Sequence, residues 1–235
     1  MSFEEAYLAL RKREGRVYSD EVLAHLPQVP AGHPLEREWA IRRTSLVRLM
    51  GHLRGLNRPL EILDLGCGNG WMSKHLAHLP EARVLGADLG AVELEQAARV
   101  FATAENLRFQ RLDIFEDDPG RFDVVVMGAS VQYFSDLPHL VSRLRSLLND
   151  GGQIHVFDSP FYSEQDVAGA RARSEAYYTE HGFPELAAHY NHHAWAEMKG
   201  LGAELMYNPK TLFNWFWLRV LKRAETPFPW WMLLK

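Results

Sequence analysis

Three glycines on alternate positions, Gly66, Gly68 and Gly70, form the segment of this sequence best suited to binding a ligand. They follow the apolar run 60–65, which contains one carboxylate, Asp64, and they precede a stretch of helical pattern. A strand that leads through a glycine loop into a helix brings bare backbone up to a ligand, and the unpaired N–H groups of the helix N-terminus lie at the same place. These residues predict a loop that holds a ligand through backbone amides beside one acid.

The spacing of the glycines narrows the kind of ligand. Dinucleotide-binding folds use the pattern G-x-G-x-x-G, and Trp71 stands where its third glycine would be. No Gly-Lys-Ser/Thr follows, so the phosphate-binding P-loop pattern is missing too. The observed pattern is acid-x-G-x-G-x-G, from Asp64 to Gly70. It resembles the first motif of class I S-adenosylmethionine-dependent methyltransferases.

Three later positions agree with that family in order and spacing. The second predicted strand ends in Asp88, where an acid can accept both ribose hydroxyls. The third strand is followed by Asp113 and Ile114; the resemblance implies that the acid accepts the adenine amino group and that the apolar side chain packs on the ring. The fourth strand leads into residues 129–134, where the family lines the methyl-transfer pocket. The resemblance spans about residues 36–160.

The resemblance implies S-adenosyl-L-methionine as cofactor and S-adenosyl-L-homocysteine as product. It implies in-line methyl transfer to an oxygen, nitrogen or carbon nucleophile, with no catalytic residue assigned. The residues predicted to bind the cofactor are Asp64, Gly66, Cys67, Gly68, Asn69, Gly70, Asp88, Leu89, Asp113, Ile114, Met127, Gly128 and Ala129. Cys67 has two interpretations: the amides of the loop could lower the pKa of its thiol, or it is a small side chain that fits the turn, which we prefer.

The acceptor must be sought where the chain departs from the family pattern. Many family members carry a histidine near position 132, whereas Gln132 cannot act as a base. We predict that Gln132 and Tyr133, together with Tyr162, Tyr190 and His193 from the segment after the fifth strand, approach the acceptor.

The same segment is rich in histidine. His189 and His193 stand four residues apart, so on a helix they would face one side. They could bind a metal, but zinc would need further ligands at a suitable spacing and no cysteine is available there, so no metal is predicted. A pocket lined by histidine and tyrosine, and histidines that are merely packed or exposed, remain alternatives.

Alternating strand and helix patterns predict an α/β fold. We expect a Rossmann-like, seven-stranded, mostly parallel sheet with an antiparallel last strand and helices on both faces. The predicted strands lie near 60–65, 82–88, 107–112, 122–127, 153–158, 203–207 and 230–234, and the predicted helices near 34–53, 70–79, 91–104, 136–148 and 210–222. The predicted parts are an N-terminal helical leader (1–35), the cofactor-binding core (36–160), a helical insert or substrate lid (161–200) and the C-terminal part of the sheet (201–235).

Two helical segments leave alternatives open. The helix near 39–53 could fold over the cofactor mouth and bring Arg42 or Arg43 to the methionine carboxylate, although surface charges on an amphipathic helix are commoner. We interpret the aromatic tail from residue 212 as a helix packed on the sheet, with the last strand at the edge of the sheet. The alternatives are an interfacial patch for a lipid or quinone-like acceptor and a homodimer contact.

Composition limits the partners. The chain has 235 residues, a net charge of -4 and one cysteine, with no signal pattern at its start and no apolar run long enough to span a bilayer. We expect a cytoplasmic protein with a small-molecule substrate, no nucleic-acid partner and no stable membrane insertion, as a monomer or homodimer. Peripheral membrane contact is left open.

Two other functions remain as alternatives to methyl transfer. A non-catalytic S-adenosylmethionine-binding or accessory protein would suit Gln132 and the lack of an obvious base. A nicotinamide oxidoreductase could use a similar fold, but Trp71 at the third-glycine position argues against it.

Overall fold

The computed structural model describes residues 1–211, 214 and 224–235. Its strands are β1 (Leu60–Leu65), β2 (Ala82–Asp88), β3 (Leu107–Arg111), β4 (Phe122–Gly128), β5 (Leu148–Phe157), β6 (Phe161–Tyr162), β7 (His193–Ala194), β8 (Glu204–Tyr207) and β9 (Trp230–Leu234). Seven of them form one sheet in the order β3-β2-β1-β4-β5-β9-β8, and β6 pairs with β7. The pairs from β3 to β5 are parallel, whereas β9 is antiparallel to both neighbours. The predicted fold class is confirmed.

Helices surround the sheet. They are α1 (Phe3–Arg13), α2 (Asp20–His25), α3 (Glu36–Arg54), α4 (Trp71–Leu76), α5 (Ala91–Val100), α6 (Leu137–Ser146), α7 (Val167–Glu180) and α8 (Trp195–Gly200), with 3₁₀ segments at Val131–Tyr133 and Pro184–His189. Local sequence explains where α1 begins: the Ser2 hydroxyl accepts a hydrogen bond from the Glu5 backbone, and the Glu5 carboxylate accepts one from the Ser2 backbone. This reciprocal cap satisfies two of the free N–H groups at the helix start. Among the described residues, no helix has the length and apolarity needed to cross a membrane.

The two faces of the sheet carry separate cores. Neighbouring residues of β1, Ile62 and Leu63, are both fully buried but belong to opposite cores, because successive side chains of a strand point to opposite faces. Leu49 of α3 packs in the core of Ile62, and Leu144 of α6 packs in the core of Leu63. Helix α3 therefore lies on a sheet face.

A third, smaller core joins the leader to the insert. Ala6 and Leu10 of α1 pack with Phe183 and Leu186 of the insert, and none of the four side chains is more than 5% exposed. The Arg13 guanidinium donates to the backbone carbonyl of His181 at 2.6 Å. The leader, which precedes the cofactor-binding core in sequence, therefore packs directly on the insert, which follows it.

The structure corrects two expectations about strands. β5 begins at Leu148 rather than near 153, because Leu148 pairs with Phe122 across a register shift next to Gly151 (φ 73°). The last strand is not at the edge of the sheet: β9 lies between β5 and β8, and its Trp231 is 1% exposed.

The expectation that His189 and His193 share a helix is wrong. His189 ends a 3₁₀ segment, and His193 begins β7, where it pairs with Phe161. Between them, the backbone N–H of Asn191 donates to the carbonyl of Gln132 at 2.7 Å, which takes the chain out of the helical path.

The aromatic tail can be compared with its prediction only in part. The predicted helix near 210–222 lies outside the described residues apart from 210, 211 and 214, so its packing on the sheet and the alternative of an interfacial patch stay predictions. The division of the chain into four parts stays a prediction.

Candidate functional site

Asp64 is held by helix α4 at the carboxyl end of β1. Its Oδ2 accepts a hydrogen bond from the Ser73 hydroxyl at 2.6 Å, and the residue is fully buried. Burial raises the pKa of Asp64 to about 7, and the charge of Asp88 adds to the rise. Its Oδ1 has no hydrogen-bond partner among the described residues. A buried carboxylate oxygen is thus free to accept a hydrogen bond from a ligand.

The glycines after β1 have backbone conformations that favour glycine. Gly66, Gly68 and Gly70 have φ angles of 73°, 52° and 73°. A Cβ on Gly66 would lie 2.4 Å from the Cβ of Ser130, so this glycine lets the loop pack on the segment after β4. A Cβ on Gly68 would find its nearest neighbour, a carboxylate oxygen of Glu93, at 3.5 Å. Gly68 therefore faces an acid rather than the packed interior.

Asp88 ties the ends of β1 and β2 together. Its Oδ2 accepts a hydrogen bond from the backbone N–H of Gly68 at 2.8 Å, and its Oδ1 accepts one from Gly90 at 2.9 Å. The carbonyl of Ala87 accepts two more, from Gly66 and Cys67. Each carboxylate oxygen of Asp88 keeps a further lone pair for a ligand hydroxyl.

Glu93, on the first turn of α5, is a site residue that the sequence prediction missed. Burial raises the pKa of Glu93 to about 7; the charge of Asp88 raises it further and the charge of Arg11 opposes the rise. With Asp64 and Asp88 it surrounds the Gly68 region with three carboxyl groups. Acids are common in the first turn of any helix, where they interact with the helix dipole, and this hid its role in the sequence.

Cys67 lies in the same loop as a buried side chain. Burial raises the pKa of its thiol well above the ordinary value, and the charges of Asp64 and Asp88 raise it further. The thiol is therefore uncharged at neutral pH, which agrees with the interpretation that Cys67 is a small side chain fitting the turn.

Three further residues that are predicted to bind the cofactor lie near Asp88, namely Leu89, Asp113 and Ile114. Leu89 is 58% exposed, whereas Ile114 is buried. Asp113 follows Leu112, whose N–H donates to the Asp88 carbonyl at 3.0 Å, so the acids lie at adjacent strand ends. One carboxylate oxygen of Asp113 accepts a hydrogen bond from the Phe115 backbone at 3.0 Å. The roles of these residues toward a ligand stay predictions, as does that of Asn69, whose Oδ1 accepts a hydrogen bond from the Trp71 backbone at 3.4 Å.

The segment after β4 is tightly tied to the protein. Met127 is fully buried, and Ala129 has a φ of 58°, unusual for a residue with a side chain. A Cβ on Gly128 would lie 2.4 Å from the Met72 side chain. The buried Gln132 donates from Nε2 to the Ala129 carbonyl at 2.6 Å, and its Oε1 accepts from Ser159 at 3.0 Å. Both ends of its amide are therefore engaged within the protein.

Tyrosines from three parts of the chain meet beside this segment. The ring of Tyr133 makes edge contacts with Tyr7 of α1 and with Tyr190 of the insert, each at a centroid distance of 6.1 Å. Tyr190 also contacts Tyr178 and His192. The Arg11 guanidinium lies 4.8 Å from the Tyr7 ring centroid. That α1 would join Tyr133 and Tyr190 could not be predicted from the sequence, because this contact depends on the tertiary fold.

The other predicted acceptor residues lie deeper in the insert. Tyr162 contacts the buried His192, whose Nε2 lies 2.8 Å from the Ser174 hydroxyl. His193 is 3% exposed and its ring packs on Phe161. Burial lowers the pKa of His193, which keeps it neutral at neutral pH. Within the described part of the chain, no three His, Cys, Asp or Glu residues are grouped to hold a metal ion.

The alternative that an arginine of α3 reaches the methionine carboxylate stays a prediction. Arg42 pairs with Glu38 on the same helix at 3.0 Å.

Comparison with known proteins identifies the central part of the chain. Residues 63–154 match the family model described as a methyltransferase domain, and this match runs from β1 into β5, across the glycine loop and Asp88. This central part of the chain is therefore similar to methyltransferase domains.

The chain is also similar to curated methyltransferases. A trans-aconitate 2-methyltransferase of Deinococcus radiodurans is 38% identical over 97 residues, covering 41% of this chain and 36% of that protein. A malonyl-[acyl-carrier protein] O-methyltransferase of Acetivibrio thermocellus is 38% identical over 95 residues, covering 39% of this chain and 33% of that protein. The chain thus spans about a third of the length of these two relatives.

Solved structures share the fold of the domain and its surroundings. Geranyl diphosphate C-methyltransferase from Streptomyces coelicolor, solved with Mg²⁺, geranyl diphosphate and S-adenosyl-L-homocysteine, matches with a TM-score of 0.60 at 15% identity, covering 99% of this chain and 98% of that chain. Magnesium protoporphyrin IX methyltransferase from Synechocystis, solved with bound SAH, also gives 0.60, at 16% identity and with 99% and 96% covered. At these identities the comparison concerns the fold alone.

Proposed function

We propose that this protein is an S-adenosylmethionine-dependent methyltransferase that acts on a small molecule. The observation that carries the proposal is the set of three carboxyl groups, Asp64, Asp88 and Glu93, around a glycine loop in a methyltransferase domain. The cytoplasmic location, the oligomeric state and the absence of a nucleic-acid partner stay predictions.

The charge of the site fits this cofactor. S-adenosylmethionine carries a sulfonium and an ammonium group, and its ribose hydroxyls can donate hydrogen bonds to carboxylates. The diphosphate of a nicotinamide dinucleotide would instead bring two negative charges to the same loop. Like charges 4–8 Å apart repel by about 2–4 kcal/mol at an effective dielectric constant of 20. The site therefore favours a cationic nucleoside over a dinucleotide.

The residues present can be matched to parts of the cofactor. The carboxylate of Asp88 would accept ribose hydroxyls, and the free Oδ1 of Asp64 would accept a donor from the methionine end. Asp113 and Ile114 would hold the adenine. When bound, S-adenosylmethionine supplies a methyl group on a positively charged sulfur, which is already a good leaving group.

The protein's own contribution is then alignment and exclusion of water. The hydrogen bond between Asp88 and Gly68, and the one from the Ser130 hydroxyl to the Leu65 carbonyl at 2.7 Å, fix the loops after β2, β1 and β4 relative to one another. When the protein holds the methyl donor and the acceptor in fixed positions, the bimolecular transfer becomes effectively unimolecular. Because both ends of the Gln132 amide are engaged, we assign it a positioning role and no proton transfer.

We place the acceptor site at the group formed by Tyr7, Tyr133 and Tyr190. Tyr133, Tyr190 and Tyr7 present ring edges and hydroxyls next to the segment after β4, which suits a small acceptor with an apolar or aromatic body and polar substituents. The relatives named above act on different acceptors, so they do not define the molecule. Tyr162 and His193 remain weaker candidates.

The cofactor assignment is tested by calorimetry with S-adenosylmethionine, S-adenosylhomocysteine and NAD⁺. We expect both adenosyl compounds to bind at one site per chain and NAD⁺ not to bind. Binding of NAD⁺ without either adenosyl compound would overturn the proposal.

Turnover separates an enzyme from a protein that only binds the cofactor. S-adenosylhomocysteine release is measured with a panel of carboxylic acids, phenols and amines as acceptors. Release above the rate without acceptor supports an enzyme. Tight cofactor binding with no release across the panel would support the non-catalytic alternative.

A further inference from the structure

Helix α1 lies across the carboxyl ends of the central strands. In its first turn, Glu4 Oε1 accepts a hydrogen bond from the backbone N–H of Val92 at 2.9 Å, just after β2. In its last turn, Arg11 Nη2 donates to the Tyr133 hydroxyl at 3.4 Å, just after β4. β2 and β4 are the two neighbours of β1 in the sheet. The helix therefore bridges the strands on either side of the glycine loop.

The length of the helix agrees with this placement. The seven-residue step from Glu4 to Arg11 corresponds to a rise of about 10.5 Å along an α-helix. Two strand spacings, from β2 to β4, amount to about 9.5 Å. A helix with these two contacts must cross the sheet edge above the end of β1, where residues 66–70 begin.

Tyr7 lies midway between the two contacts. Burial raises the pKa of Tyr7, and its neighbours Tyr133 and Glu93 raise it further. Glu93 is the acid that faces Gly68, so Tyr7 stands near the glycine loop as well as near the proposed acceptor site. Glu4, Tyr7 and Arg11 make up the inner face of α1.

We propose that α1 forms a wall of the cofactor site, that Tyr7 is its cofactor-facing residue, and that α1 must open for the cofactor to enter and leave. This inference rests on the proposed function. Another face of the same helix packs on the insert through Ala6 and Leu10. One element therefore closes the cofactor site and the acceptor site together, and opening it exposes both.

The test measures the affinity of the full chain for S-adenosylhomocysteine by calorimetry. Tyr7→Ala removes the cofactor-facing ring and should weaken binding at least tenfold. Lys12→Ala is the matched control, because Lys12 is exposed on the same helix, and it should stay within twofold of the wild type. Equal affinities of Tyr7→Ala, Lys12→Ala and the wild type would overturn the inference.

Hydrogen exchange of the wild-type protein tests the opening without any substitution. If α1 closes over the bound ligand, saturating S-adenosylhomocysteine should slow exchange of the amides of residues 7–13 at least tenfold. Unchanged exchange there, with ligand binding confirmed by calorimetry, would overturn the inference while leaving the proposed function intact. Failure of the wild type to bind S-adenosylhomocysteine would instead contradict the proposed function.

Discussion

The Oδ2 of Asp88 accepts a hydrogen bond from the backbone N–H of Gly68 at 2.8 Å, which ties the acid at the end of β2 to the glycine loop after β1. The same carboxylate also accepts a bond from Gly90. The acid that the proposed function assigns to the ribose therefore shapes the loop that receives the rest of the cofactor.

Replacing Asp88 should affect both the loop and the ligand. Asp88→Ala removes charge-assisted hydrogen bonds worth about 1.5–3 kcal/mol each, so we expect at least about a hundredfold weaker binding of S-adenosylhomocysteine and a lower melting temperature. Asp88→Asn keeps one acceptor oxygen and should lose less. Calorimetry and thermal unfolding measure the two effects, with the exposed Glu95→Ala on α5 as control. Wild-type affinity in Asp88→Ala would contradict the assignment.

Alanine substitutions at two glycines with the same φ angle distinguish the cost of backbone strain from the cost of a steric clash. Gly66 and Gly151 both have a φ of 73°, but a Cβ on Gly66 would meet Ser130 at 2.4 Å, whereas one on Gly151 would meet nothing within 4 Å. Gly151→Ala should cost only the backbone strain, about 1–2 kcal/mol. Gly66→Ala should lose about 1–3 kcal/mol more in urea unfolding, because the loop must move. Equal losses would argue against close packing of the loop on Ser130.

Cofactor binding should depend on pH through the acidic cluster. Asp64 and Glu93 have pKa values of about 7, so both are partly protonated at neutral pH. A cationic ligand favours the charged carboxylates and lowers these pKa values, so its affinity should rise with pH. One such group gives about a tenfold rise between pH 6 and 8.

The variant Glu93→Gln isolates one of these carboxyl groups. Calorimetry at pH 6 and pH 8 should show a smaller rise in S-adenosylmethionine affinity for Glu93→Gln than for the wild type. S-adenosylhomocysteine, which lacks the sulfonium charge, should respond less to pH in both proteins. If the affinity depends on pH in the same way with and without the Glu93 carboxyl group, Glu93 is not part of the cofactor site.

Stability should depend on pH through His155, a buried histidine away from the site. Its Nδ1 accepts a hydrogen bond from the Trp230 indole at 3.1 Å, which requires the neutral ring. Burial lowers the pKa of His155 to about 3, and nearby His52 contributes. In the unfolded chain the pKa is about 6.5. Between these values the unfolded state binds more protons, so the free energy of unfolding should fall as the pH falls.

The measurement compares urea unfolding at pH 7 and pH 5. The wild type should lose about 2 kcal/mol more over this interval than His155→Gln, because each pH unit below 6.5 contributes about 1.4 kcal/mol. His25→Gln, at an exposed position on α2, should lose as much as the wild type. The same loss in His155→Gln as in the wild type would rule out His155 as the source.

Much of the fold could be predicted because its signals are local. The sequence predicted β1, β2, β4, α3 and α6 to within a few residues. Each of these elements has a hydrophobic pattern that depends only on the residues of its own segment. The start of β5 and the position of β9 were wrong because they depend on which strand lies alongside. The helix expected at 189–193 failed because a hydrogen bond to Gln132, distant in sequence, competes with helix formation.

The sequence by itself determined the glycine loop, because Gly66, Gly68 and Gly70 adopt backbone angles that other residues reach only with strain. It also determined that an acid would end β2. Only the tertiary structure decided that Glu93 joins this acid and that α1 lies above the loop. Those relationships arise from packing between distant segments, and the burial that raises the pKa of Asp64 and Glu93 exists only once the chain has folded.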